Sequence, residues 1–200
     1  MSEEEEARLV AVCSPALRRV VQVGLLTGLR RQELASLRPE EVDLDRGLVS
    51  VAACYSKNGE RRTLPVGPRL KAVLQDALIA SRSATTVLVN EQGRSWPLDR
   101  LSEQFRATCE RAGIGSLGLH VLRHSFASRL VMAGVDLSTV KELMGHKDIQ
   151  MTLRYAHLSP HHTRTAMETL EARFSAPSPV NIHNTPSETL REDSKKVATS

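Results

Sequence analysis

Residues 117–158 read LGLHVLRHSFASRLVMAGVDLSTVKELMGHKDIQMTLRYAHL, and the organisation of the whole chain follows from them. Three features stand at fixed distances: His120-x-x-Arg123, then Leu143-Met144-Gly145-His146, then Tyr155 nine residues beyond His146. In a helix, positions i and i+3 share a face, so His120 and Arg123 address one object. Gly145 is suited to end the helix before it, and Asp148 to cap a next helix carrying Tyr155. Three short helices then deliver two histidines, an arginine and a tyrosine. That set suits a phosphate, with a phenol placed to attack it.

Within this stretch the spacing predicts a helix over 119–132, ended by Gly134, and a second over 138–144 capped by Asp136 or Ser138. Leu119, Leu122, Phe126 and Leu130 fall near helical spacing and are expected in the core. His124 lies off that face; it is either catalytic or exposed, and the pattern favours exposed.

Moving outward, a helix from Leu98 or Asp99 reaches about Ala112 and is closed by Gly113 and Gly115. VLVN at 87–90 reads as a short strand and EQGRSWPL as a loop, with Trp96 packing that loop rather than stacking on a base. Gly67-Pro68 opens a helix over 68–81. LVSVAACY at 48–55 and RRTLPV at 61–66 flank Lys57-Asn58-Gly59-Glu60, and Asn-Gly between β-prone runs signals a hairpin. Lys57 sits at the mouth of that turn, able to swing over a ligand, although turn lysines are more often simply solvated.

At the front, helices are expected over 3–12 and 16–26, followed by Thr27-Gly28-Leu29-Arg30-Arg31-Gln32-Glu33-Leu34. Gly28 breaks the helix. Arg30 follows the break, with Glu33 three residues on to hold its guanidinium; the plain alternative is a solvent-facing pair worth little. Downstream, Ser159-Pro160 opens a last helix to about Arg173, which either docks on a neighbouring subunit or folds back on its own domain. Residues 175–200 are Pro/Ser/Thr-rich and read as a disordered tail.

Two hundred residues make one domain, or one domain with a tail. Aromatic residues are only 3%, so the core must be built from aliphatic side chains. That favours a mostly helical protein over a β-sandwich. No apolar run reaches the roughly 18 residues of a membrane span, and the acidic opening MSEEEEAR is no signal peptide. The expectation is a soluble, cytoplasmic protein with no membrane partner. Cys13, Cys54 and Cys109 form no C-x-x-C pair, which points to buried free thiols rather than disulfides or zinc. Residues 1–6 hold four Glu and 176–200 balance three basic against three acidic residues, so the net +4 leaves +8 on residues 7–175. Arg outnumbers Lys 21 to 6, which suits bidentate phosphate contact.

The residue pattern singles out His120, Arg123, His146 and Tyr155, and the family resemblance quoted below adds Arg30 and Lys57 as candidate groups, with Glu33 in support. A DNA phosphodiester resists attack because its anionic oxygens repel nucleophiles and its alkoxide leaves poorly. Two arginines on the non-bridging oxygens offset the growing charge. A tyrosine oxygen attacking in line conserves the bond as a phosphotyrosine, and a lysine or histidine can protonate the leaving oxygen. No metal-ligand cluster, P-loop or Gly-rich nucleotide loop is visible in the sequence. Covalent catalysis without metal, ATP or other cofactor is the consistent choice.

H-x-x-R, L-M-G-H and Tyr155, with T-G-L-R-x-x-E-L at 27–34 and K-N-G-x-x-R-x-L-P-V at 57–66, resemble the tyrosine recombinases, the phage-integrase family. The likeness covers roughly residues 3–174 and implies a catalytic domain over 1–174, of α+β class and mainly α with a small antiparallel sheet around Val49 to Val66, with 175–200 outside it. It implies Tyr155 as the nucleophile forming a 3′-phosphotyrosyl link, Arg30 and Arg123 as phosphate clamps, and Lys57 as general acid. His120 would assist proton transfer, His146 would hydrogen-bond the scissile phosphate, and Glu33 would be a support. The implied activity is site-specific recombination of double-stranded DNA, by a homotetramer on paired sites and a monomer alone. Two departures stand out. Glu60 replaces a basic residue common in the family's hairpin, and no N-terminal DNA-clamping domain precedes the motifs, which implies weak, steeply salt-dependent DNA binding. A type IB topoisomerase and a non-catalytic DNA-binding module are the competing readings.

Overall fold

The computed structural model describes residues 1–51, 61–82, 84–159, 167–168 and 170–171. It divides into two units, Met1–Pro160 and His161–Ser200. In the second, the described residues 167–168 and 170–171 are helical. The hairpin turn with Lys57, Asn58-Gly59 and Glu60, together with Cys54, Ser159-Pro160 as the start of a last helix, and the 175–200 tail, lie partly or wholly outside the described residues.

In the first unit, α1 (Glu3–Val12) starts at a capping box in which Ser2 and Glu5 exchange side-chain-to-backbone bonds. Ser14 caps α2 (Pro15–Thr27), whose first residue is proline, and α2 ends at Gly28 in the left-handed conformation. The short α3 (Arg31–Ser36) follows at once. Strands β1 (Val42–Asp43), β2 (Leu48–Val51) and β3 (Arg62–Pro65) form an antiparallel sheet in that order. Val49 faces Leu64 and Val51 faces Arg62 across the β2–β3 pair. Val49, Val51 and Leu64 are buried, as period-two patterning requires. Helices α4 (Pro68–Ser81), α5 (Leu98–Arg111), α6 (His120–Met132) and α7 (Leu137–Met144) match the sequence reading closely. Asp136 caps α7, and α8 (Gln150–Leu153) is a single turn.

Two expectations are corrected, and one strand is additional. Residues 87–90 form no strand, only an isolated bridge from Val89 to Ser95, because the segment is short and Val87 bonds instead to the carbonyl of Leu37. The two-residue β1 was not foreseen. Tyr155 is not carried within a helix: α8 stops at Leu153, and Tyr155 occupies the turn before a 3-10 segment over Ala156–Leu158. Trp96, by contrast, is buried in the core as read. Cys13 and Cys109 are buried free thiols, and burial pushes each up to about 11.

The main core is built from α1 through α5, the sheet and the start of α6. A smaller cluster joins Ala127 and Val131 of α6, Val140 and Met144 of α7, and Tyr155. The crossing of α2 on α6 positions the site. A Cβ on Gly24 would lie 2.8 Å from Leu122 Cδ1, and one on Gly28 would lie 2.3 Å from Phe126 Cδ1. Only glycine lets these backbones approach so closely, and at Gly28 the φ of 62° asks for glycine independently. Among the described residues no helix is long and apolar enough to cross a membrane.

Candidate active site

Arg30 caps α3 directly after the left-handed turn at Gly28. Its guanidinium donates to Glu33 Oε1 at 2.9 Å and to the carbonyl of Gly145 at 2.9 Å, while its backbone N–H donates to Glu33 Oε2. The expected Arg30–Glu33 pair therefore forms, but it is buried rather than solvent-facing. A second cation shares the carboxylate: Arg62 of β3 donates to both oxygens, at 3.0 and 2.7 Å. The Glu33 side chain is only 1% exposed. Burial pushes its carboxyl up, yet the hydrogen bonds and charges of Arg62 and Arg30 outweigh that and hold it below the usual range.

Arg123 is anchored without a carboxylate. It donates to the carbonyl of Gly28 at 2.6 Å and to that of Met144 at 2.5 Å. Both carbonyls lie where helices α2 and α7 end, and helix ends leave such oxygens unpaired and carry partial negative charge. The left-handed Gly145 thus turns two successive carbonyls to use, Met144 toward Arg123 and its own toward Arg30. Burial, then the charge of Arg30, pushes Arg123 down to about 9, which leaves it cationic at neutral pH.

His146 follows at the same turn and is buried. Its Nδ1 lies 2.9 Å from Oγ1 of the fully buried Thr152. Burial, followed by the charges of Arg123 and Arg30, pushes its imidazole down to about 4, so the ring is neutral near pH 7. If the Thr152 hydroxyl donates to Nδ1, Nε2 carries the ring proton and is a donor.

Tyr155 is 5% exposed, its ring in the smaller core cluster and its hydroxyl 2.6 Å from His124 Nδ1. Burial pushes the phenol above its ordinary value, against the lowering charges of Arg154 and Arg123. The expectation that His124 is exposed is therefore wrong. It stands one turn from His120 on α6, half-buried, with the two rings edge to face at 5.7 Å between centroids. The signal for it was present, since positions i and i+4 share a helix face as i and i+3 do.

Arg30, His120, Arg123, His146 and Tyr155 line one cleft of about 490 Å³, together with His124, Gln150, Met151 and Arg154. Among the described residues no acidic side chain lines it. Lys57 lies outside the described residues. Arg62, Thr152 and His124 are parts of the arrangement that the sequence reading did not assign. A larger hollow of about 680 Å³ between α1, α2 and α6 holds no comparable set, and its Glu6 already bonds both Arg69 and Arg129. Among the described residues no group of three or more His, Cys, Asp or Glu side chains is placed to hold a metal ion. The cleft can therefore bind an anion between two fixed guanidinium groups beside a phenol.

Comparison with known proteins gives the same direction. The integrase of Salmonella phage P22 is 29% identical over 197 residues, covering 92% of this chain and 50% of that protein. The tyrosine recombinase XerA of Thermococcus kodakarensis is 34% identical over 176 residues, covering 84% of this chain and 61% of its relative. The catalytic domain of bacteriophage HP1 integrase superposes with a TM-score of 0.68 at 29% identity, covering 88% of this chain and 98% of that domain. The chain thus spans about half the length of the curated relatives it matches, from 50% to 61% for these two. The profile of the Phage integrase family matches residues 1–162, and the chain belongs to that family.

Proposed function

We propose that residues 1–174 are the catalytic domain of a site-specific DNA recombinase that cleaves and rejoins strands through a 3′-phosphotyrosyl intermediate, with 175–200 outside the catalytic fold. The observation that carries this reading is that the Tyr155 phenol shares one cleft with the Arg30 and Arg123 guanidinium groups, with no acidic side chain among the described residues that line it. Membership of the phage integrase family and the likeness to a phage integrase and to tyrosine recombinase XerA support it.

In this reading Tyr155 Oη attacks the scissile phosphorus in line, the P–O5′ bond breaks, and the 5′ oxygen takes a proton from Lys57. Arg30 and Arg123 hold the non-bridging oxygens. They are aimed by Glu33 and by helix-end carbonyls before substrate arrives, which is the preorganisation that electrostatic catalysis requires. His146, neutral and held by Thr152, donates from Nε2 to the same phosphate. His120 assists proton transfer. The free 5′-hydroxyl of a second duplex then attacks the phosphotyrosine, and two such rounds exchange both strands. The partner is double-stranded DNA in the cytoplasm, bound by a homotetramer on paired sites and by a monomer alone. No metal or nucleotide takes part.

The test is a nicked duplex whose cleaved end diffuses away. Wild-type protein in EDTA should give a protein–DNA adduct that survives denaturant, and Tyr155→Phe should give none. An adduct of equal yield from the Phe variant would sink the nucleophile assignment. Relaxation of supercoils by a monomer, without tetramers on paired sites, would favour the topoisomerase reading instead.

A further inference from the structure

Tyr155 is too buried to give its proton to bulk water, and burial makes the phenol a weaker acid than usual. A buried nucleophile of this kind needs a proton acceptor within hydrogen-bond reach. The group at that position is His124, on the rigid helix α6, with Nδ1 2.6 Å from the phenolic oxygen and the ring tilted 51° to the tyrosine.

We propose that His124 is the general base of strand cleavage, taking the phenolic proton on Nδ1 as Tyr155 Oη bonds to phosphorus. The proposal rests on the phosphotyrosyl reading above. The electron pair of the breaking P–O5′ bond leaves on O5′, which is protonated by a separate acid, Lys57 in that reading. In rejoining, the 5′-hydroxyl attacks phosphorus and gives its proton back to Lys57, the bond from phosphorus to Tyr155 Oη breaks, and Nδ1 returns its proton to that oxygen. The positive charge of Arg154 favours the phenolate over the phenol, and the hydrogen bond found for the hydroxyl is the one to Nδ1.

The surroundings keep the acceptor ready. Burial, then His120, Arg154, Arg123 and the amino group of Met1, hold the His124 imidazole below its ordinary value, and the phenol of Tyr155 faces it directly. The ring is thus neutral near pH 7. The imidazolium formed during cleavage is the state those cations disfavour, which helps return the proton on resealing.

Single-turnover adduct formation on the nicked duplex, followed from about pH 5 to pH 8, tests this with the full chain. Wild type should slow toward acid as the imidazole is protonated. His124→Gln, which can still hold the hydroxyl but cannot take its proton, should react about 100-fold more slowly and lose that acid limb. A substrate with sulfur at the bridging 5′ position, whose thiolate leaves without a proton, should rescue Lys57→Ala and leave His124→Gln slow. His124→Gln at the wild-type rate with the acid limb intact overturns the proposal while leaving Tyr155 as nucleophile. Absence of any wild-type adduct, or an adduct with Tyr155→Phe, overturns the phosphotyrosyl reading itself. If the variant does not fold, nitrogen-15 NMR of wild type decides. The proposal requires His124 protonated on Nε2 and bare on Nδ1 at pH 7, and the opposite tautomer overturns it.

Discussion

The two sides of the cleft are built by different means. On the side of the proposed phosphate clamp, Arg30 donates to Glu33 and to the carbonyl of Gly145, and Arg123 to the carbonyls of Gly28 and Met144, so both guanidinium groups are held by fixed acceptors. On the side of the proposed nucleophile, Tyr155 sits in a turn after the four-residue α8, backed by the smaller apolar cluster and hydrogen-bonded to His124. An electrostatic clamp acts only if its dipoles do not have to reorganise during the reaction, so rigidity there serves rate. A nucleophile must travel toward phosphorus and back. A single-turn helix with few apolar contacts belongs to the low-stability end of a fold, where such motion is least costly.

The largest test of this contrast is Glu33→Ala. It leaves the guanidinium groups of Arg30 and Arg62 without the carboxylate between them, their side chains only 20% and 10% exposed. Removing one partner of a buried ion cluster costs about 3–5 kcal/mol, and urea unfolding should show a loss of that size together with near-complete loss of cleavage. A stability loss well below 1 kcal/mol would mean that the helix-end carbonyls alone hold the clamp.

That carboxylate also marks the limit of what sequence could tell. The Arg30–Glu33 contact was legible because its members are three residues apart on one short helix, and His120 with Arg123 for the same reason. Helices α1, α2, α4 and α5 were legible from caps, prolines and glycines that act locally. Arg62 was not, because its partner lies 29 residues away and the run RRTLPV gives no sign of which arginine turns inward. The carbonyls of Gly28 and Met144 carry no side-chain signature at all; only the assembled α2–α6 crossing and the end of α7 bring them to Arg123. Thr152 and His146 are six apart across an irregular turn, so no helical period relates them.

Acid should separate the two sides, the nucleophile side failing first. The folded-state value of His146, about 4, lies below its unfolded 6.5. The unfolded chain therefore binds the proton first as pH drops. This contribution is fully present above about 6.5 and is lost as pH falls toward about 4, a change of about 3 kcal/mol; His124, lowered in the same direction, adds to that trend. Glu33, also depressed, works in a lower window: its stabilisation is present above the unfolded 4.5 and lost only as pH falls through its folded value. Urea unfolding across this range should show the upper slope in wild type and a much shallower one in His146→Gln. An unchanged slope in the variant would place the acid sensitivity elsewhere.

The smallest effect expected is that of Thr152→Val, and it discriminates best. Valine matches the shape of threonine, so packing in this fully buried position changes little. What is lost is the hydroxyl facing His146 Nδ1 at 2.9 Å. An orphaned buried polar atom costs about 1–3 kcal/mol, and the imidazole is then free to carry its proton on either nitrogen. If His146 serves the phosphate through Nε2–H, the ring in the wrong tautomer offers a lone pair where a donor is needed. Cleavage should fall about 10-fold or more, with DNA affinity nearly unchanged, since phosphate contacts elsewhere set binding. Thr152→Ser keeps the hydroxyl and should recover most of the rate. Equal rates for Val and Ser would show that the tautomer of His146 is irrelevant to cleavage, and that the nucleophile side needs only the phenol and its base.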